Sequence, residues 1–153
     1  MTTILRLVRF WPPYFGAGVR VVEFAPDLTF LKVGMKLHFW NKNAVGTHFG
    51  GSLYAMVDPF YMLILMEHLG REYVVWDKTA SIRFRRPGKG EVFATFHLPL
   101  EKIKELKMAA DSQPKVEPVF QVQVVDADGL VVAEVEKTLY IAKRNKSKSI
   151  SPN

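Results

Sequence analysis

An α+β fold, one long central helix wrapped by an antiparallel sheet of five to six strands, is what three features of this 153-residue sequence predict. A continuous apolar run from Ser52 to Leu69 is too long for a strand and reads as a buried helix. Runs of strand-type residues lie on both sides of it. Turn sequences separate the later runs, above all Asp128-Gly129, whose pairing suits a tight hairpin.

The elements follow in order. Residues 1–13, MTTILRLVRFWPP, alternate arginine with apolar residues and hold no long apolar run or small-residue cleavage site. They predict a short amphipathic helix, stopped by Pro12 and Pro13, and no signal peptide. Val19 to Phe24 and Met35 to Trp40 read as short strands. The helix of Ser52 to Leu69 closes with His68 in its last turn and Gly70 after it, and Pro59 breaks or kinks it. Thr79 to Arg86, the turn PGKG and Glu91 to Leu98 read as a hairpin. Glu101 to Ala110 has the apolar spacing of a short helical connector. Val116 to Val125 and Leu130 to Ala142 are two further strands around Asp128-Gly129. No internal repeat is visible.

A chain that is 48% hydrophobic and of this length supports one domain with a real core. The expected division is a single domain over residues 1–142, with the short N-terminal helix, and a basic disordered tail over 143–153. Cysteine is absent, which excludes disulfides, thiolate nucleophiles and zinc-thiolate sites and suits a cytoplasmic setting. The net charge is +6, but Lys143, Arg144, Lys146 and Lys148 concentrate it in the tail. A nucleic-acid partner is therefore not expected, and no transmembrane segment is. His38, His68 and His97 stand singly, without ligand spacing, so neither a metal nor a cofactor is expected.

The most informative stretch is Asn43 to Asp58, NAVGTHFGGSLYAMVD, a glycine-rich turn joined to an apolar segment that contains one carboxylate. Paired glycines before a helix leave unobstructed N–H groups at its positive end, where a developing oxyanion can sit. Asp58 has two readings. Among apolar neighbours such as Met56, Val57 and Met62 a carboxylate favours its protonated form, which suits a base near neutrality; equally, Asp58-Pro59 is a helix-start signature in which aspartate caps the first turn. Asp77 is the second carboxylate, catalytic or bridged to Lys78 or an arginine at a strand start. Arg83, Arg85, Arg86 and Lys89 form a cluster that fits phosphates, an acidic carrier or plain solvent. Met56, Phe60, Tyr61, Met62 and Met66 line either an adaptable acyl tunnel or the core.

Asn43, Gly46, Gly50, Gly51 and Asp58 together resemble the N-x-x-G-x-x-H-G-G…D signature of phenylacetyl-CoA-type hotdog thioesterases. KTASIRFRRPGKGEVFATFHL and DADGLVVAEVEKTLYI resemble the later hairpins of that superfamily. The phrases FWPPYFGAGVRV, THFGGSLYAMVDPFYML and VVWDKTASIRF resemble more closely an uncharacterised, domain-of-unknown-function branch of it, over most of the chain. The resemblance implies the hotdog fold, a homodimer or homotetramer, and an acyl-CoA or acyl-carrier-protein substrate hydrolysed at a dimer-interface site. It implies that the amide of Gly51, with that of Gly50, polarises the thioester carbonyl. Asp58 would then be base or nucleophile, reaching across from the partner, and Asn43 would orient water or the carbonyl. Thr47, Ser52 and Thr79 are polar helpers, and Trp76 and Arg85 further substrate contacts.

One departure from the signature is plain. Phe49 stands where the family has the histidine before its glycine pair, and the histidine is one place earlier, as His48. Either Phe49 lines an acyl pocket and His48 lies on the surface, or His48 reaches the site from another turn geometry. The departure keeps a noncatalytic module that binds an acyl thioester or lipid as the alternative to a hydrolase. An interaction scaffold is suggested only by the basic tail.

Overall fold

The computed structural model describes residues 8–144. Residues 1–7 of the amphipathic helix expected ahead of Pro12, and residues 145–153 of the expected basic tail, lie outside them. Lys143, placed in that tail from the sequence, belongs to the last strand, and its Nζ lies 2.6 Å from Asp111 Oδ1.

Pro12 and Pro13 begin a helix instead of ending one. Proline lacks only an N–H that the first turn leaves unpaired anyway, and its fixed φ suits that turn. After a 3-10 turn at Val8–Phe10, α1 therefore runs Pro12–Ala17. β1 (Val19–Phe24) lies where its apolar run predicts. β2 spans Phe30–Lys36 in place of the predicted Met35 to Trp40. Leu31, Val33 and Met35 form its buried face. Beyond Lys36 the buried Asn41 ends the strand: its Nδ2 donates to the carbonyls of Ala17 (2.9 Å) and Lys36 (2.8 Å), and its Oδ1 accepts the His38 N–H at 2.6 Å.

The long apolar run folds as two helices, α2 (Gly50–Ala55) and α3 (Phe60–Leu69), separated by a break at residues 56–59. Asp58 does not cap α3; Pro59 occupies the N-cap position and no side chain bonds the first turn. Phe60, Tyr61, Ile64, Leu65 and Leu69 are all buried, so α3 has no polar face and is stable only when covered. The Tyr61 ring stacks on Phe120 at 4.6 Å and meets Phe96 edge-on at 5.1 Å.

The covering sheet comprises β1, β2, β3 (Tyr73–Phe84), β4 (Glu91–His97), β5 (Val119–Asp126) and β6 (Val131–Lys143), in the order β1-β2-β4-β5-β6-β3. Every pairing is antiparallel. α4 (Leu100–Ser112) is the predicted connector and buries Ile103, Leu106 and Ala110. The hairpin expected across PGKG does not form. β3 pairs with β6 along its whole length, while β4 lies between β2 and β5. The hairpin expected at Asp128-Gly129 does form, with Asp126 Oδ1 accepting the N–H groups of Asp128 and Leu130.

β3 is thus one edge strand and β1 the other, and β3 is interrupted by a bulge between Asp77 and Thr79. A bulge inserts a residue and exchanges the faces to which alternate side chains point. Tyr73, Val75 and Asp77 are therefore covered before it, and Ile82 after it. A broken apolar helix wrapped by a six-stranded antiparallel sheet is the hotdog fold.

Candidate active site

The loop before α2 is closed by Asn43. Its Oδ1 accepts the N–H groups of Val45 (3.1 Å) and Thr47 (3.0 Å), and its Nδ2 donates to Thr47 Oγ1 (2.9 Å) and the His48 carbonyl (3.3 Å). Both donors and both acceptor sites of the amide are consumed within the loop. Gly46, at φ 80°, supplies the left-handed residue that this turn requires. The buried Thr47 serves the same closure.

His48 and Phe49 lie opposite to the first of the two readings above. His48 is 3% exposed and Phe49 57%, so His48 is not on the surface. Its backbone N–H donates to the Gly88 carbonyl (3.0 Å) and its Nε2 lies 3.1 Å from the Gly90 carbonyl. Both acceptors come from the PGKG segment, which docks on this loop instead of forming a hairpin turn. Burial lowers the imidazole pKa, and the hydrogen bond to Gly90 opposes it. A single-residue shift turns a side chain to the opposite face of an extended segment, which carries Phe49 outward.

Gly50 and Gly51 open α2, and neither has positive φ. A β-carbon at Gly50 would meet the Phe84 ring at 3.0 Å, and one at Gly51 the Phe49 ring at 2.5 Å. Both rings are more than half exposed and free to swing away. The backbone therefore does not demand glycine here. As at any helix start, the first amides lack intrahelical acceptors. Asn43, Thr47, His48, Gly50 and Arg85 line one cleft of 400 Å³, while Phe49, Gly51 and Ser52 face a second groove beside Trp40 and α1.

Asp58 sits in the break beyond the far end of α2. It is not enclosed by apolar residues; its side chain is 48% exposed. Its neighbour is Lys137 of β6, which the sequence reading missed and which is completely buried. The Lys137 ammonium donates to the Asp58 carbonyl, to Asp58 Oδ1 (3.4 Å) and to Asp77 Oδ2 (2.9 Å), so its three N–H donors meet three acceptors. The Tyr54 ring lies 5.8 Å from Nζ. Asp77 is mid-strand, with Lys137 rather than Lys78 as its partner; Lys78 pairs with Glu117 at 2.8 Å. Burial pushes the Asp77 carboxyl up, Lys137 pulls it back, and the charge of Asp58 adds to the rise. Tyr14 of α1 is held above the usual tyrosine range by burial first, then by Asp58 and Asp77. The Tyr14 hydroxyl and Asp77 Oδ1 are buried without hydrogen-bond partners.

Lys137 had a sequence signal. Between Ala133 and Ile141 the buried side chains of β6 alternate as Ala133, Val135, Lys137, Leu139 and Ile141, so the lysine occupies an inward position. The remaining expected contacts lie on the β3 side. Trp76 is exposed and edge-on to Tyr140 at 5.6 Å, and Thr79 is opposite Thr138. Arg85 is bound to Glu134 at 2.6 Å and Arg86 to Asp126 at 3.7 Å, so neither is a bare cation. Among the described residues no group of three or more His, Asp or Glu could hold a metal ion, and no helix is long and apolar enough to cross a membrane.

The chain belongs to the family described as Domain of unknown function (DUF4442), whose model matches residues 2–141. No curated protein matches it. Among solved structures it is similar to a Pseudomonas aeruginosa protein of unknown function described as a probable thioesterase, at 23% identity and TM-score 0.81 over 94% of this chain and 97% of that one. A Haemophilus influenzae thioesterase matches at 13% identity and TM-score 0.68, over 99% and 95%. A mutant of the phenylacetic acid degradation protein of Thermus thermophilus matches at 21% and 0.57, over 84% and 97%. At these identities the likeness carries the hotdog fold.

Proposed function

We propose that this DUF4442 domain is an acyl thioester hydrolase, acting on an acyl-CoA or acyl-carrier-protein substrate at sites shared between two protomers. One observation carries the reading: α2 presents the amides of a glycine pair at its start and a half-exposed carboxylate just beyond its end. Gly51 stands at the start of α2 and Asp58 in the break beyond its end, at opposite ends of the helix, so we assign the two to different protomers of one site. A second protomer brings its own Asp58 to the first protomer's glycines. The edge strand β3, exposed along most of its length, is the natural seam for that pairing.

In the reaction, the thioester oxygen lies against the Gly51 and Gly50 amides. The partner's Asp58 takes a proton from water as the water oxygen bonds to the carbonyl carbon. Collapse of the tetrahedral intermediate breaks the C–S bond, and the departing thiolate takes up the proton. Asn43 holds the loop that presents the glycines, a supporting part in place of direct contact.

A panel of acyl-CoA esters tests the reading, with turnover of at least one chain class expected. Light scattering should show a dimer or tetramer, and a monomer at micromolar concentration would remove the shared site. A second reading, binding without hydrolysis, is favoured by the outward Phe49 and inward His48 at the position of the family histidine. It predicts a co-purified acyl ligand by native mass spectrometry and no turnover.

A further inference from the structure

A fully buried ammonium costs several kcal/mol unless its charge and donors are all matched. The fold matches them here with groups drawn from three places: Asp58 at the helix break, Asp77 before the β3 bulge, and Lys137 itself at an inward position of β6. A cap for the helix break alone would need only the Asp58 carbonyl. Instead the cation is divided between two carboxylates, nearer to the buried Asp77 (2.9 Å) than to the half-exposed Asp58 (3.4 Å). Tyr14 from α1 and Tyr54 from α2 are the other titratable groups that face the pair.

We propose that Lys137 is a positioning residue: shared between two carboxylates, its ammonium fixes the orientation of Asp58, and Asp77 sets how strongly the cation holds it. The part Asp58 plays in hydrolysis rests on the reading above; the three-way coupling does not. Asp58 keeps its half-exposed face toward the seam while one carboxylate oxygen and its own carbonyl are gripped from beneath. Asp77 competes for the same ammonium from the other side.

Two substitutions move Asp58 in opposite directions. Lys137→Met removes the cation and leaves two like charges facing each other, so Asp58 should titrate about one pH unit or more higher. Asp77→Asn removes the competing charge and gives the ammonium wholly to Asp58, which should titrate lower. Carboxyl carbon NMR titration of the full chain reads both without any substrate. In the hydrolase, the acid limb of kcat/KM should follow the same two directions, a result that a merely structural lysine would not produce. Should Lys137→Met fail to fold around a lone buried Asp77, Asp77→Asn still carries the test. Asp58 midpoints within about 0.3 units of wild type in every folded variant would overturn the coupling. If they move while no thioester is hydrolysed, the coupling stands and the hydrolase reading falls. If hydrolysis proceeds with an unmoved acid limb, the positioning role falls and the hydrolase stands.

Discussion

The loop from Asn43 to Gly51 and the charged cluster of Asp58, Asp77 and Lys137 are assembled in opposite ways. The four bonds of the Asn43 side chain reach two to five residues along the chain. Those of Lys137 reach 60 and 79. The loop amide is saturated while the buried His48 Nδ1 beside it has no partner, and in the cluster one Asp77 oxygen and the Tyr14 hydroxyl have none either. Saturated polar groups hold shape; buried groups left incompletely bonded are the ones that call for another explanation. The difference is one of range: the recognisable motif closes on itself within a few residues, whereas the residues of the cluster meet only in three dimensions.

The sharpest way to break this contrast is Asp58→Asn. Asparagine keeps a carbonyl oxygen for the Lys137 ammonium but cannot act as base, so turnover of the hydrolysed acyl-CoA should fall by about 100-fold or more in a folded protein. An undiminished rate would move the chemistry out of the cluster. On the loop side, Asn43→Ala should cost about 1–3 kcal/mol of stability by urea unfolding, because it strands several backbone groups at once. A change in rate without a change in stability would make Asn43 a reacting group after all.

Gly51→Ala sharpens the comparison at the point where the two regions would meet on a substrate. The new methyl group displaces only the exposed Phe49 ring, and alanine is the better helix former by about 0.5–1 kcal/mol. Stability should hold or rise while hydrolysis drops by about 10-fold, as expected when the approach to an oxyanion donor is blocked. Equal loss of both would reduce the glycine pair to packing.

The smallest effect is expected at His48. Its folded-state pKa is depressed by burial, so the unfolded chain takes up a proton that the folded imidazole refuses. Stability should therefore be full above the unfolded value of about 6.5 and decline as pH falls below it, by at most about 1.4 kcal/mol per pH unit. Urea unfolding of His48→Gln between pH 7.5 and 5.5 should lose that increment of slope.

Legibility followed the range of the forces. The central apolar segment, α4 and the β5–β6 hairpin were readable because periodicity and Asp-Gly turn chemistry are local. The PGKG hairpin was misread because nothing nearby reveals that β3 finds β6, or that His48 draws the Gly88 and Gly90 carbonyls to itself. Asp77 was legible as a candidate but not its partner, since the alternation of residues 80–84 carried back would aim it outward and only the bulge puts it on the covered face. Lys137 broke an inward row in plain view, yet an isolated lysine in a strand ordinarily faces water.

The sheet order has a consequence for how the chain comes to be folded at all. β3 pairs only with β6, from Tyr73↔Lys143 to Phe84↔Ala133, so its ladder waits for the last strand of the described residues to be synthesised. Such non-local closure slows folding and leaves apolar surface open to aggregation meanwhile. Asp77 reaches Asp58 only when β3 finds β6, and the same strand brings Lys137, so the two carboxylates meet with their cation already between them.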